Sequence, residues 1–419
     1  MLRKNYVSTL MVLSMAVSLL SGCSNTVEIT DNSEIIEQTE EPDVVFDDTS
    51  NLLNRTISLV DNIYNQENSK NVMVSGLSMD YAMSMALNGT NEKSSKEIES
   101  FLGMTKEEAN KKYSKLLDSY KNSKDSNKLI ISNAFWIKES HDILIKDEYK
   151  SSMKDIYKAN VEAVGMNSEG LERINGWVSD STEGFIKKAL NLEDIANANS
   201  ILMNTIYFDG KWDIPFDAGL TIEDDFTLFD GSTQKVQMMS SQEYYYFEND
   251  KAVAFAKDYE DNRYQFIGIL PKEEGEFSIS SLNIEELLES KKSTNEINAD
   301  LYIKLPKIDF EEKFKFSDIL KSMGVQEVFD TSKHNFTGIY KDNFDQVSYI
   351  KEVIQNVKLK VDEKGTKAAA VTSIIISNDA IAFEPKDIIN IDLNRPFVAI
   401  IMDTETNTPL FIAKIINFD

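Results

Sequence analysis

The chain has 419 residues, 42% of them hydrophobic and 10% aromatic, which is enough to bury a large core and excludes a disordered chain. It carries 70 acidic and 44 basic residues, and the resulting formal net charge of −26 opposes binding to nucleic acid and to heparin-like polyanions. One cysteine and two histidines exclude a disulfide framework, an iron–sulfur cluster and a multi-cysteine zinc site, so the sequence predicts neither a metal nor another cofactor.

The first 22 residues have the layout of a secretory signal peptide. Arg3 and Lys4 precede an uncharged, mostly apolar run over residues 7–20, which is too short to span a bilayer as a helix. The run ends in Leu-Ser-Gly-Cys, which resembles the bacterial lipobox, where the chain is cut before the cysteine and the cysteine is acylated. An ordinary signal peptide followed by a chance cysteine is the alternative. We therefore predict a lipoprotein signal peptide over residues 1–22 and lipidation of Cys23.

An acidic segment follows this cysteine. Nine acidic residues and no lysine or arginine occur between Ser24 and Ser50, and like charges keep such a segment extended. Residues 23–50 are therefore predicted to be a lipidated cysteine and a disordered tether on the outer face of a bacterial cell membrane. The lipid anchor is the only predicted contact with the membrane, and cleavage of the tether would release a soluble extracellular form.

Residues 51–419 contain no linker rich in Pro, Gly or Ser and no internal repeat, so they are predicted to form a single domain. Apolar residues at three- and four-residue spacing predict helices over 51–67, 78–87, 94–101, 106–120, 145–157, 171–188, 284–290 and 316–323. Strand patterns occupy 129–137, 200–208, 234–241, 243–246, 252–258, 265–270, 299–306, 353–362, 396–403 and 409–416. The body is therefore expected to be an α+β fold built on a large, mostly antiparallel sheet.

The segment from Glu363 to about residue 388 combines a strand-like half with a loop-like half. Gly365 is conformationally permissive, which suits a hinge. Small or apolar residues then occupy every second position, as in a strand with one buried face: Thr366, Ala368, Ala370, Thr372, Ile374 and Ile376. Because the following stretch is polar, contains Pro385 and precedes a further predicted strand in INIDLNRPF (residues 389–397), an exposed loop of about 25 residues is favoured over the alternative, a plain sheet strand.

Segments throughout the body together resemble the serpin family, and they occur in the family's order. The longest are LMNTIYFDGKWDIPFD at residues 202–217 and VDEKGTKAAAVT at residues 361–372, and shorter ones include NVMVSGLSM, NFTGI, LNRPFVAII and TPLFIAKIIN. The chain is accordingly identified as a bacterial lipoprotein member of the serpin family. The resemblance implies a serpin fold with a large central sheet, two further sheets, about eight or nine helices and an exposed reactive-centre loop over about residues 363–388.

The resemblance also assigns a region that governs opening of the central sheet. It carries over to Ser75, Ser78, Asn204, Gln355 and Trp212. Three positions depart from the family's pattern, because Gly76 stands where proline is usual, Gln355 where histidine is usual and Ala413 where glycine is usual. Gln355 can still donate and accept hydrogen bonds, so the polar cluster is expected to persist without its pH-sensitive member.

The implied function is inhibition of serine proteases by a suicide trap, in which the inhibitor supplies no catalytic residue. The protease forms an acyl-enzyme with the loop, and the freed half of the loop inserts into the central sheet as an added strand, which distorts the protease. The native state must then be held kinetically short of its most stable form. The implied hinge comprises Glu363, Gly365, Thr366, Lys367, Ala368, Ala369, Ala370, Val371 and Thr372. Thr366 is small and uncharged, and Lys367 falls on the outward face, so the hinge favours an inhibitory member.

Family spacing places the cleaved bond at Asp379–Ala380. The loop is longer than in common members, so Ala380–Ile381 and Ile381–Ala382 stay open as alternatives. Aspartate before the bond suits a protease with a basic specificity pocket, whereas Ala or Ile suits an elastase-like protease, and the surrounding isoleucines favour the second class. The expected partner is the target serine protease in a covalent acyl complex. The chain is expected to be a monomer that binds no nucleic acid and no heparin-like cofactor.

Other functions stay open. A non-inhibitory serpin acting as a binding or chaperone module would gain no stability when its loop is cut, and an inhibitor of cysteine proteases would use the same trap. A solute-binding lipoprotein would need two lobes with parallel sheets, which the strand pattern does not show. An enzyme is not expected, because no nucleophile or phosphate-loop motif occurs and His141 and His334 both lie in polar stretches.

Overall fold

Helices and strands account for most of the part of the chain that the computed structural model describes, which comprises residues 49–67, 70–122, 127–341, 347–365 and 386–418. These residues belong to one compact unit. The predicted signal peptide, Cys23 and nearly all of the tether lie outside the described residues, as do residues 366–385 of the predicted loop. Within the described ranges, no helix is both long and apolar enough to cross a membrane.

The helices come mainly from the first half of the body, as predicted. They are α1 (Thr49–Glu67), α2 (Gly76–Leu87), α3 (Glu92–Leu102), α4 (Lys106–Asn122), α5 (Asp147–Tyr157), α6 (Ser168–Ser181), α7 (Leu192–Ile195), α8 (Ile284–Glu289) and α9 (Ser317–Ser322). Local signals set their ends, since Asn91 caps the start of α3 and Gly103 ends it in a left-handed conformation. The helix predicted over 171–188 is shorter in the structure, because α6 ends at Ser181 and Gly184 takes a left-handed conformation.

The strands occur mostly after residue 199. They are β1 (Val72–Val74), β2 (Lys128–Lys138), β3 (Asn160–Val164), β4 (Ser200–Asp209), β5 (Ile222–Thr227), β6 (Thr233–Glu243), β7 (Tyr245–Glu248), β8 (Ala252–Asp258), β9 (Tyr264–Pro271), β10 (Lys292–Ser293), β11 (Ala299–Pro306), β12 (Ile308–Lys315), β13 (Glu352–Val361), β14 (Asp387–Asp392), β15 (Phe397–Asp403) and β16 (Thr408–Ile415). The sequence patterns did not predict β1, β3, β5, β10 and β12, and all five are edge strands, which are often short or charged.

The strands form three sheets. A seven-stranded sheet has the order β1-β16-β15-β9-β8-β7-β10 and is antiparallel throughout, a four-stranded sheet has the order β14-β11-β6-β5, and a five-stranded sheet has the order β12-β13-β4-β2-β3. The α2 helix is buried along its whole length and contacts β4 of the five-stranded sheet and β16 of the seven-stranded sheet. The predicted α+β fold, with mostly antiparallel sheets and eight or nine helices, is confirmed.

A lysine is buried in the seven-stranded sheet. Lys414 of β16 is fully buried, its Nζ lies 3.3 Å from the centre of the Tyr64 ring, and it donates a hydrogen bond to the carbonyl of Phe277. Burial lowers the pKa of Lys414 from 10.5 to about 8, although the negative charges of Asp61 and Glu276 oppose this shift. The folded state therefore releases this proton at a lower pH than the unfolded chain does.

We expect stability to rise with pH through Lys414, because above about pH 8 the unfolded chain binds more protons than the folded one. Relative to Lys414→Met, the free energy of unfolding of the wild type should increase by about 1–2 kcal/mol between about pH 7.5 and about pH 9.5. Urea unfolding of both proteins at the two pH values measures this difference. A difference that does not change with pH would show that Lys414 keeps its ordinary pKa in the fold.

Candidate functional site

The main feature of the five-stranded sheet is a parallel pair of neighbouring strands. The ladder between β4 and β13 has five residue pairs and ends where Thr205 lies beside Asn356. Both strands continue past this point, β4 to Asp209 and β13 to Val361. Their facing edges are therefore paired with each other along only half of their length. We call the unpaired half the gap, and it lies at the end of the sheet where β13 leads into residues 362–365.

A buried polar cluster lies across the paired half, on the side of the sheet that faces α2. The Gln355 side chain accepts a hydrogen bond from the Ser75 N–H at 2.9 Å and donates one to the Ser75 carbonyl at 3.0 Å. Ser75 caps α2, and its Oγ accepts from the Ser78 N–H at 3.2 Å. The Ser78 hydroxyl in turn bonds to the side chain of Asn204, which is the ladder partner of Gln355. The structure thus brings together four of the five residues assigned to sheet opening.

Asn133 extends this cluster, although the sequence did not assign this residue to sheet opening. It lies beside Asn204 in the ladder between β2 and β4, accepts from Asn204 Nδ2 at 2.5 Å and donates to the Tyr157 carbonyl at 3.0 Å. The side chain is buried, so its polar atoms need partners within the protein. An asparagine inside an otherwise apolar strand pattern was the signal that could have identified it.

Close packing explains the glycine at position 76. A Cβ atom on Gly76 would lie 1.8 Å from Thr56 Oγ1 and 2.9 Å from Thr56 Cβ, because α1 packs tightly against the start of α2. Proline, which the family resemblance leads one to expect here, carries that atom and would push α1 away. Glycine at position 76 therefore allows α1 to approach the start of α2 closely. The hydrogen bonds of the neighbouring polar cluster are all present despite this departure from the family's pattern.

At the open end of the sheet, one segment holds the backbone of another. We call residues 210–216 the platform and residues 362–365 the hinge turn. From the platform, Trp212 donates its backbone N–H to the Lys364 carbonyl at 3.1 Å and its indole N–H to the Asp362 carbonyl at 2.9 Å. Trp212 therefore fixes the hinge turn, and it does so apart from the other four residues assigned to sheet opening.

Glu363 links the hinge turn to further elements. Its carboxylate lies 2.7 Å from Lys307 Nζ and accepts from the Thr221 hydroxyl at 2.8 Å, while its carbonyl accepts from the Phe216 N–H at 2.8 Å. Burial acts to raise the pKa of this carboxyl, but the contacts with Lys307 and Thr221 outweigh burial and lower the pKa. The carboxylate therefore contributes stability above its ordinary pKa, and this contribution is lost as the pH falls through the folded pKa.

Gly365 packs the hinge turn against the platform. It exchanges two backbone hydrogen bonds with Asp362, and its φ of +143° lies in the region that favours glycine. An added Cβ would lie 2.1 Å from the Gly210 carbonyl oxygen and 2.7 Å from Lys211 Cα. Both the backbone conformation and the close approach therefore require glycine.

Gly365→Ala should lower the free energy of unfolding by about 2–4 kcal/mol, because either the hinge turn or the platform has to move. Gly275→Ala is the matched control, since Gly275 has a φ of +105° but no atom within 4 Å of an added Cβ. The free energy of unfolding of Gly275→Ala should fall by only about 1–2 kcal/mol, which is the cost of holding alanine at a positive φ. Urea unfolding of the two variants checks this difference, and equal losses would show that the approach to Gly210 does not constrain the hinge.

Several predicted site residues lie outside the described residues. From the hinge they are Thr366, Lys367, Ala368, Ala369, Ala370, Val371 and Thr372. The candidate cleavage positions Asp379, Ala380, Ile381 and Ala382 and the lipidation site Cys23 are outside as well. Of the predicted hinge, the structure therefore places Glu363 and Gly365.

Comparisons with known proteins agree with this arrangement. The family model described as Serpin (serine protease inhibitor) matches residues 51–418. Serpin-Z3 of Arabidopsis thaliana is 30% identical over 370 residues, covering 84% of this chain and 92% of that protein, and alpha-1-antiproteinase of Bos taurus is 27% identical over 384 residues, covering 88% and 87%. The crystal structure of the thermophilic serpin tengpin in the native state matches with a TM-score of 0.80 at 30% identity, covering 90% of this chain and 96% of tengpin. The chain therefore belongs to the serpin family, which is a family of protease inhibitors rather than of enzymes.

Proposed function

We propose that this chain inhibits serine proteases by the suicide trap. The observation that carries the proposal is the gap between β4 and β13, whose facing edges are not paired with each other over Ile206–Asp209 and Val357–Val361. A strand inserted there would pair with the main-chain groups of both edges. The reactive-centre loop follows the hinge turn at this same end of the sheet, so the first half of the loop can supply that strand.

The hinge turn already contains the first pairing of such a strand. Gly365 forms antiparallel bridges both to Asp362, which follows β13, and to Lys211, which follows β4. At the other end of the gap, Asn356 lies beside Thr205, and the offset in residue number between the two strands is the same at both places. An antiparallel strand that continues from Gly365 can therefore pair with both neighbours without a change of register.

Continued pairing in this register would place residues 366–370 in the gap, where no pair between β4 and β13 has to break. On the face towards α2, the neighbouring side chains of β13 are Val357, Leu359 and Val361, all of them buried. Small side chains are needed beside them, because the face is already packed. The loop residues that would face that side are Thr366, Ala368 and Ala370.

Incubation with a panel of serine proteases tests the proposal. We expect at least one protease, elastase-like by the loop sequence, to form a complex that survives denaturation and to release the C-terminal peptide of the inhibitor. Mass spectrometry of that peptide distinguishes cleavage at Asp379–Ala380 from cleavage at Ala380–Ile381 or Ile381–Ala382. Loop cleavage by every protease without any such complex would contradict the proposal, and a complex with cysteine proteases alone would change the target class.

Thermal unfolding of the cleaved chain separates the trap from a non-inhibitory binding module. Insertion adds a strand to the sheet, so the loop-cleaved chain should unfold at a higher temperature than the intact chain. A cleaved chain with an unchanged midpoint would contradict insertion and would favour a binding or chaperone role.

We also propose that the chain is secreted and held on the outer face of a bacterial cell membrane by lipid on Cys23, with residues 24–50 as the tether. The lipobox-like sequence before Cys23 and the run of nine acidic residues after it support this proposal. The full chain should incorporate a labelled fatty acid and sediment with membranes, whereas Cys23→Ser should do neither. Labelling that persists in Cys23→Ser would contradict the assignment.

A further inference from the structure

Near the platform, a buried ion pair joins two sheets. Lys257 belongs to β8 of the seven-stranded sheet, and its Nζ lies 2.7 Å from Oε1 of Glu243, the last residue of β6 in the four-stranded sheet. The two side chains are only 2% and 9% exposed. The Ser241 hydroxyl donates to the same carboxylate oxygen at 2.5 Å. The pair is therefore shielded from water, and removing either charge leaves the other buried without a counter-ion.

The same ammonium group contacts two aromatic rings of the platform. Lys257 Nζ lies 4.5 Å from the centre of the Phe216 ring and 5.6 Å from the centre of the Trp212 ring. At these distances a cation is attracted by the aromatic ring. Phe216 and Trp212 are also the residues whose N–H groups donate to the carbonyls of the hinge turn. A shift of the Lys257 ammonium group would therefore also shift the N–H groups of Phe216 and Trp212 that hold the hinge turn.

Further aromatic packing leaves the platform few alternative positions. The Trp212 ring stacks on Tyr259 with ring centres 4.4 Å apart, and Phe266 approaches it edge-on at 6.0 Å. These contacts hold the Trp212 ring against Phe266 of β9 and against Tyr259, which follows β8, in the seven-stranded sheet. The pair of Lys257 with Glu243 links the same region to the four-stranded sheet.

We propose that Lys257 is a positioning residue for loop insertion. Held by Glu243, it sets the platform, and the platform keeps Lys211 and Trp212 where Gly365 can pair as the first residue of the inserting strand. This inference rests on the proposed function and adds to it a residue that touches neither the loop nor the protease. Insertion competes with hydrolysis of the acyl-enzyme, so a displaced platform should slow the first and favour the second.

The test uses a double variant, Lys257→Met with Glu243→Gln, which removes both charges and nearly conserves volume. The matched control is Arg263→Met with Asp403→Asn, because Arg263 and Asp403 form another buried ion pair, at 3.1 Å with exposures of 5% and 0%, beside other aromatic rings. Two quantities are measured with one target protease, namely the rate of loop cleavage and the number of inhibitor molecules consumed per protease trapped.

We expect the Lys257 double variant to lose about threefold to tenfold more inhibitor to hydrolysis for each protease trapped, because loss of a buried cation–ring contact should slow insertion by that factor. Its rate of loop cleavage should stay within about twofold of the wild type, because the loop itself is unchanged. The control should show the wild-type ratio even if its unfolding midpoint falls. An unchanged ratio in the Lys257 variant, or an equal rise in the control, would overturn the inference.

Two further measurements keep the outcome unambiguous. If the Lys257 double variant does not fold, Ser241→Ala is used instead, because it removes one hydrogen bond from Glu243. The number of inhibitor molecules lost to hydrolysis per trapped protease should then rise by about twofold, and no change in this number would overturn the inference. If the wild type traps no protease in the panel, the proposed function fails and this inference fails with it. A wild type that traps normally beside variants that do the same contradicts only the role of Lys257.

Discussion

Thr366→Arg should turn this chain from an inhibitor into a substrate. In the proposed register, position 366 is the first to enter the gap and would lie beside Val361, which is fully buried. Burial of a guanidinium without a partner costs several kcal/mol, so insertion should fall behind hydrolysis of the acyl-enzyme. The number of inhibitor molecules consumed per trapped protease should rise by about tenfold or more, as measured by titration of the target protease.

Lys367→Arg is the matched control for this variant. It places the same guanidinium one residue further along, on the face that points outward, where a lysine is already tolerated. The control should keep the wild-type ratio of inhibitor to trapped protease. Equal increases in both variants would show that the assignment of faces is wrong, and no change in Thr366→Arg would contradict insertion itself.

Gln355→Leu should lower the free energy of unfolding by about 2–4 kcal/mol. Leucine nearly conserves the volume of glutamine but cannot accept the hydrogen bond of the buried Ser75 N–H, which is then left without a partner. The Ser75 carbonyl still accepts from the Met79 N–H at 3.1 Å, so the penalty falls mainly on the donor. Urea unfolding measures the loss, and a change below about 1 kcal/mol would show that this bond contributes little.

Gln355→His provides the complementary test, because it introduces a titratable group at the same place. A neutral imidazole nitrogen can accept from Ser75, whereas a protonated ring only donates and carries a buried charge. The folded state then binds the proton less well than the unfolded chain, whose histidine has a pKa of about 6.5. Stability of this variant relative to the wild type should therefore fall as the pH drops below about 6.5, and a constant difference would contradict the geometry.

Much of the fold could be predicted from the sequence because the central strands are long and apolar. The strand patterns located β4, β13, β15 and β16, which are buried within their sheets. The strands that the patterns missed are edge strands such as β5, whose Glu-Asp-Asp run hides the alternation. An edge strand often carries charged residues and so lacks the apolar pattern of a strand that has a neighbouring strand on each side.

The candidate site was predictable only in part, because its contacts join residues far apart in the chain. Family resemblance pointed to Ser75, Ser78, Asn204 and Gln355, yet Asn133 became evident only from its bonds to Asn204 and Tyr157. The pair of Lys257 with Glu243 crosses from one sheet to another, which no local spacing reveals. The sequence showed that Gly76 departs from the family's usual proline but gave no reason for it. The reason is the Thr56 side chain, which leaves no room for a Cβ atom at position 76.

Because of the gap, loop insertion can begin before any pair between β4 and β13 is broken, and only its later part requires the two strands to separate. Residues 366–370 would enter without breaking any pair, and each later residue would exchange one pair of the ladder for two new ones. The buried polar pair of Asn204 and Gln355 is the second pair of the ladder, counted from the gap. Resistance is therefore expected almost as soon as displacement begins. Once Thr372 has passed that pair, two apolar pairs follow, Ile354 with Met203 and Val353 with Leu202, before the ladder ends at Glu352 and Ile201.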